Sequence, residues 1–135
     1  MIEYRTGADL DLDQAIELYR ASTLGERRPV DDRDRMAAML RHANLMVTAW
    51  EGPLLVGIAR SFSDFTFATY LSDLAVRLSH QRHGIGRELV RRTQAAGGQA
   101  MLILLAAPAA EAYYPRIGMT HHPQAWVLRE GDALR

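Results

Sequence analysis

The 135-residue chain contains no cysteine and no lysine. Without cysteine there is no disulfide, no thiolate metal ligand and no thiol nucleophile, a composition that suits a cytoplasmic protein. Without lysine there is no Schiff-base chemistry and no lysine for a nucleoside-triphosphate P-loop. The 16 cationic side chains are therefore all arginine, and 16 acidic residues balance them to a formal net charge of +0. A basic field of the kind that drives nucleic-acid binding is missing too, so no nucleic-acid partner is expected. Met1-Ile2-Glu3-Tyr4-Arg5 lacks signal-peptide character, and the longest apolar run, residues 100–110, falls far short of the ~20 residues of a membrane span. The remainder is 48% hydrophobic and 24% charged. That is ordinary for a globular protein, and the length predicts one core and one domain over residues 1–135.

Along the chain, Ile2 to Arg5 alternates apolar and charged residues as an edge strand does. Asp11 can cap a helix with Leu12, Ala15, Ile16 and Tyr19 on one face. After the breaker Gly25-Glu26-Arg27-Arg28-Pro29, a second helix is expected from Asp31 or Asp32, with Met36, Met39, Leu40 and Ala43 at helical spacing. Residues 45–50 and 54–60 read as strands joined by Glu51-Gly52-Pro53, and residues 68–76 as the next strand. A helix follows with Ile85, Leu89, Thr93 and Ala96 on one face, ended by Gly97-Gly98. Ala100-Met101-Leu102-Ile103-Leu104-Leu105 reads as a strand buried on both faces. Residues 109–114 are expected as a short helix that Pro115 ends one residue early, at Tyr114, because the residue before proline is pushed from helical geometry. Ala125-Trp126-Val127-Leu128-Arg129 reads as a final strand.

The most informative stretch is Gln81-Arg82-His83-Gly84-Ile85-Gly86-Arg87, between the strand ending at Val76 and the helix after it. A glycine turn at a helix start presents unpaired backbone N–H groups at the positive end of the helix dipole, which is an anion site. The dinucleotide fingerprint Gly-x-Gly-x-x-Gly is excluded, since Leu89 stands at its third glycine.

Gln81-x-x-Gly84-x-Gly86 after a strand ending in valine resembles the coenzyme A pyrophosphate loop of the GNAT acetyltransferases. Two further segments carry the same resemblance. Val56-Gly57-Ile58-Ala59-Arg60, followed by Asp64 and then Asp73-Leu74-Ala75-Val76, looks like small amine acetyltransferases. Ala112-Tyr113-Tyr114-Pro115-Arg116-Ile117-Gly118-Met119 matches the family's Ala-x-x-Phe-Tyr-x-x-x-Gly-Phe segment. Leu78 departs from the pattern, since the family usually has proline there. The resemblance implies an α/β fold in which a central mixed sheet splays between its fourth and fifth strands and helices cover both faces.

It also implies a function: transfer of an acetyl group from acetyl-CoA directly to a primary amine in a ternary complex. The co-substrate would lie over Gln81, Arg82, His83, Gly84, Ile85, Gly86 and Arg87. Its pantetheine arm would run along a bulged strand at Leu74, Ala75 and Val76 like an added strand, with a backbone N–H near Val76 facing the thioester oxygen. Tyr114 matches the tyrosine placed beside the sulfur and would protonate the leaving thiolate. Asp73 is a candidate base; the competing reading is a carboxylate paired with arginine. Asp64 is the weaker candidate, better read as capping a loop. His121 and His122 could line the acceptor side or sit on the surface. No pair among His42, His80, His83, His121 and His122 has metal spacing with a third ligand, so no metal is expected. The alternative function is a catalytically weak acyl-CoA-binding or sensor domain. The acceptor, small molecule or protein, stays open, and the apolar run at residues 125–128 supports either a homodimer or completion of the internal sheet.

Overall fold

A computed structural model, describing residues 1–7 and 9–135, has Asp11 accepting from the Gln14 N–H and Asp32 from the Arg35 N–H, both at 3.0 Å. The two caps start helices α1 (Leu12–Arg20) and α2 (Arg33–His42) where the orphan N–H groups of a first turn need an acceptor. The chain divides into two units, Met1–Leu105 and Ala106–Arg135.

In the first unit, β1 (Glu3–Thr6), β2 (Leu45–Glu51), β3 (Leu54–Ser63), β4 (Ala68–Val76) and β5 (Met101–Leu104) form one sheet in sequence order. β1 to β4 are antiparallel, while β5 runs parallel to β4 after a crossover through α3 (Ile85–Ala96). The sheet is therefore mixed, with α1 and α2 over one face and α3 over the other. Ile16, Leu18, Tyr19, Met36 and Leu40 pack with Met46, Ile58 and Ala75 on the first face. Ile85 and Leu89 pack with Val47, Val56, Ala59 and Leu71 on the second. A Cβ at Gly57 would lie 3.0 Å from Leu89 Cδ1 and 3.2 Å from Ile85 Cγ2, so glycine in β3 lets the start of α3 sit directly on the sheet.

Two irregularities make β4 unusual. Its register with β3 steps so that Arg60 faces Asp73 while Ser61 faces Leu71, leaving Ser72 as the extra residue of a β-bulge. Its pairing with β5 spans only Ala68 to Leu71, opposite Met101 to Leu104. From the bulge onward β4 has no paired strand on that side among the described residues, which is the expected splay between the fourth and fifth strands.

Several expectations need correction. β5 is not buried on both faces: Leu102 and Leu104 pack toward α3, but Met101 and Ile103 are exposed. An uninterrupted apolar run cannot by itself tell a central strand from one covered on a single face. Ala96 is exposed too, and Gly97 is buried instead. In the second unit, residues 109–114 do not form one helix; a 3₁₀ turn at Pro108–Ala110 precedes a one-turn helix α4 (Tyr113–Arg116). Pro115 lies inside that turn and does not end it, because the N–H it lacks belongs to the first turn, where it would have no helical acceptor. Residues 125–128 form no strand, and Trp126 is 93% exposed. Strand propensity needs a ladder partner, and the unit Ala106–Arg135 holds no strand to supply one.

Candidate active site

β4 delivers the chain into a 3₁₀ turn (Leu78–His80), then into residues 81–87. Arg82 and Gly84 both take left-handed conformations, φ 65° and 82°. Turns that mix hands in this way gather successive N–H groups into an anion-binding concavity. Gly84 is the N-cap of α3 and supplies no side-chain cap, so the N–H groups of the first helical turn remain open to a ligand. Beyond its two chain neighbours, no atom of the described residues lies within 4 Å of where a Gly84 Cβ would be, which leaves the backbone accessible from outside. Ile85 is buried and anchors the turn, while the side chains of Arg82, His83 and Arg87 face solvent.

Charge sorts the neighbouring arginines. Glu88 accepts from Arg91 (2.6 Å) and Arg92 (2.9 Å), and those hydrogen bonds lower its carboxyl to about 2. Arg91 and Arg92 are thus engaged on the helix, whereas Arg82 and Arg87 have no partner among the described residues. The loop fits a phosphate-bearing ligand: open N–H groups, room at Gly84 and two unpaired guanidiniums.

The open edge of β4 fits an extended ligand. Backbone groups alternate in direction along a strand, and the Arg77 N–H donates to the Val56 carbonyl of β3 at 2.8 Å. Asp73 and Ala75 therefore face β3 as well, and the main-chain groups of Leu74 and Val76 point to the side that β5 has left. Gln81 Nε2 reaches the Val76 carbonyl at 3.1 Å, tying loop to edge. Ala75 is the exception among the expected contact residues: its side chain is buried and its main chain is turned toward β3. The Leu78 N–H donates to the Ala21 carbonyl at 2.9 Å, a bond proline could not make, so the departure at this position fastens the end of α1 to the turn.

Asp73 is fully buried. Its Oδ2 accepts from Tyr19 Oη and Arg60 Nε, and its Oδ1 from Arg28 Nε, each at 2.6 Å. Burial by itself would raise the carboxyl, but the hydrogen bond and charge of Arg60, then the charge of Arg28 and the Tyr19 bond, hold it below the usual carboxylate range. A carboxylate so held is a poor proton acceptor near neutral pH, and the geometry fits the paired-carboxylate reading rather than the base. Tyr19, Arg28 and Arg60 are not marked as its partners by any local pattern that spans them and Asp73. Only Arg60, a cation inside the strand pattern Val56-Gly57-Ile58-Ala59-Arg60, carried a signal, since a charge at an inward strand position requires a buried counter-charge.

Asp64 caps its loop, with Oδ1 accepting from the N–H groups of Thr66, Phe67 and Ala68. In the second unit, Tyr114 is half-buried with its ring edge-on to Tyr113 at 5.3 Å, and burial, then Tyr113, raises its phenol. His121 and His122 are exposed, and His122 Nδ1 accepts from the Gln124 N–H. Among the described residues, no three His, Asp or Glu side chains are grouped to hold a metal ion, and no helix is long and apolar enough to cross a membrane. A cavity of about 600 Å³ lies along α1, lined by Asp13, Ile16, Glu17, Arg20, Val30 and Arg33. Its charges already pair, Arg33 with Asp13, Arg20 with Asp31 and Glu17 with Arg77, so it presents no free charge to a ligand.

The same fold recurs in solved structures. A GNAT family acetyltransferase from Streptococcus pneumoniae is 23% identical, with 96% of this chain and 99% of that one covered and a TM-score of 0.75. An aminoglycoside N-acetyltransferase solved with CoA is 14% identical over 96% and 94% of the two chains, TM-score 0.74. An aminoglycoside acetyltransferase from an uncultured soil metagenomic sample, solved with sisomicin, is 19% identical over 95% and 94%, TM-score 0.69. No curated protein matches the chain in sequence. The model of the acetyltransferase (GNAT) domain family matches residues 22–131, which spans both units and includes the bulged strand, the loop and α4. With that match over most of its length, the chain belongs to the GNAT acetyltransferases.

Proposed function

We propose that residues 1–135 act as one N-acetyltransferase domain that moves the acetyl group of acetyl-CoA directly to a primary amine. One observation carries the reading: the open edge of β4 at Leu74 and Val76 leads straight into the N–H concavity at Gly84. An extended arm ending in a pyrophosphate fits that combination, the arm adding to the strand and the phosphates capping α3. The family match across both units supports treating them as one functional domain. Acceptors of the aminoglycoside kind are supported by the sisomicin-bound neighbour, though only as a class of amine.

In this reading the neutral amine nitrogen attacks the thioester carbonyl carbon, the new C–N bond forms and the C–S bond breaks. The thiolate takes a proton from Tyr114, the amine's surplus proton leaves to water, and water returns a proton to Tyr114. Direct transfer suits a chain without cysteine to carry an acyl intermediate. Asp73 organises the strand and takes no proton. That Tyr114 lies at the sulfur rests on the family pattern.

Gly84→Glu tests the binding half. Calorimetry is expected to find acetyl-CoA affinity lost, because a carboxylate then stands where the phosphates lie. The left-handed position adds strain of ~1–2 kcal/mol, so Gly84→Asn, which tolerates that conformation without charge, is the control and should bind. Unaltered affinity in a folded Gly84→Glu protein overturns the cofactor assignment. Thiol release from acetyl-CoA with sisomicin, spermidine, 2-phenylethylamine and a lysine peptide tests the transfer half. Binding without release by any of them would favour the sensor alternative.

A further inference from the structure

Arg28 stands on the segment between α1 and α2, yet its guanidinium is spent on the β4 bulge. Nε donates to Asp73 Oδ1 at 2.6 Å and Nη2 to the Ser72 carbonyl at 2.9 Å, while Nη1 returns to the Arg27 carbonyl at 2.8 Å. Its side chain is 23% exposed. Charge balance alone does not account for it. Arg60, 5% exposed, already neutralises Asp73 from the other oxygen, so a second guanidinium leaves the cluster with one surplus positive charge. What Arg28 adds is the carbonyl of Ser72. That residue is the bulge itself, at the point where β5 departs and the β3 register slips.

We infer that Arg28 is a positioning residue for acetyl transfer: it clamps the Ser72–Asp73 peptide and so fixes the direction in which the Leu74 main chain meets the pantetheine arm and the Val76 N–H meets the thioester oxygen. The inference rests on the acetyl-CoA reading of the β4 edge given above. A planar fork can hold a carboxylate and a carbonyl at once, whereas an ammonium on a flexible stem holds them in no fixed relation. Arg60 reinforces the same point from β3, with Nη2 donating to Ser72 Oγ at 3.0 Å and Nη1 to the Met39 carbonyl of α2 at 3.1 Å. The bulge is thereby held by side chains from both sides, and of the two arginines it is Arg28 that reaches its main chain.

Arg28→Lys separates positioning from plain stabilisation, because lysine restores a cation for Asp73 but not the fork. Three quantities are measured on the full chain: melting temperature, acetyl-CoA affinity by calorimetry, and turnover as thiol release with the best amine of the panel above, or as basal thioester hydrolysis if none reacts. Arg28→Lys is expected to melt within a few degrees of the unmodified protein and to bind acetyl-CoA within ~3-fold, since the phosphate loop is untouched. Its turnover is expected to fall ~10- to 100-fold, the scale on which small misplacements of reacting groups act. Arg28→Gln should lose turnover similarly and lose stability as well. Turnover of Arg28→Lys within ~2-fold of the unmodified protein overturns the inference, as does a turnover loss matched by equal loss of affinity. If the unmodified protein fails to bind acetyl-CoA, the cofactor reading itself falls, a result distinct from either.

Discussion

Tyr114→Phe is expected to lower turnover by ~10²–10⁴-fold, the range lost when a general acid is removed. The change keeps the ring and its edge-on contact with Tyr113, and deletes only the proton that the proposed mechanism gives to the thiolate. Acetyl-CoA affinity should fall by no more than one neutral hydrogen bond, ~1 kcal/mol, or about fivefold. The pH dependence is a second signature. Because burial, then Tyr113, raises the phenol, the proton is available below a pKa lying above the ordinary tyrosine value, and the unmodified protein keeps its rate through neutral pH. Any alkaline fall belonging to this group should vanish in Tyr114→Phe. Tyr113→Phe serves as the comparison and should stay nearly as active as the unmodified protein. If Tyr113→Phe is the damaging change, the roles of the two tyrosines are exchanged. If neither matters, solvent protonates the thiolate and the acid assignment is withdrawn, with fold and cofactor readings intact.

Asp73→Asn should produce the largest loss of stability of any substitution considered. Asparagine keeps the shape but leaves Arg60 and Arg28 with no anion, and removing one partner of a buried pair typically costs ~3–5 kcal/mol. Set against ~5–15 kcal/mol for a whole domain, that loss is at least about a fifth of the total stability. The pH dependence follows from the direction of the shift. The folded carboxyl lies below its unfolded value of ~3.9, so its contribution is complete above that value and is lost as pH falls through the folded one. Denaturant midpoints should therefore differ widely at pH 7, and the gap should narrow in strong acid. Equal midpoints at pH 7 would show that the cluster stabilises nothing.

Local chemistry was legible in the sequence and long-range pairing was not. Asp11 and Asp32 cap helices because a short acceptor before an apolar-periodic run has one local use, and both stand where expected. Strands and the loop around Gly84 followed from period and turn residues in the same way. The Asp73 cluster joins residues 54 and 45 positions apart, Tyr19 and Arg28, and no window of sequence contains it. Residues 125–128 failed for the opposite reason: their pattern was local and favourable, while a strand is a property of two segments. Pro115 shows how one residue carries two meanings, breaker in a helix interior and acceptable in a first turn, with the helix start alone deciding between them.

The gap beside β4 also has a consequence for proton exchange with solvent. The amides of Asp73 and Ala75 are turned into the β3 ladder, while those of Leu74 and Val76 are turned to the unpaired side. Neighbouring amides of one strand should thus exchange with deuterated water at alternating rates, slow, fast, slow, fast, from residue 73 to residue 76. An arm of acetyl-CoA lying along that side would slow the two fast positions and leave the slow ones unchanged. Occupancy of the site would then be written residue by residue in the exchange of four consecutive amides, with no need for turnover or for knowledge of the acceptor.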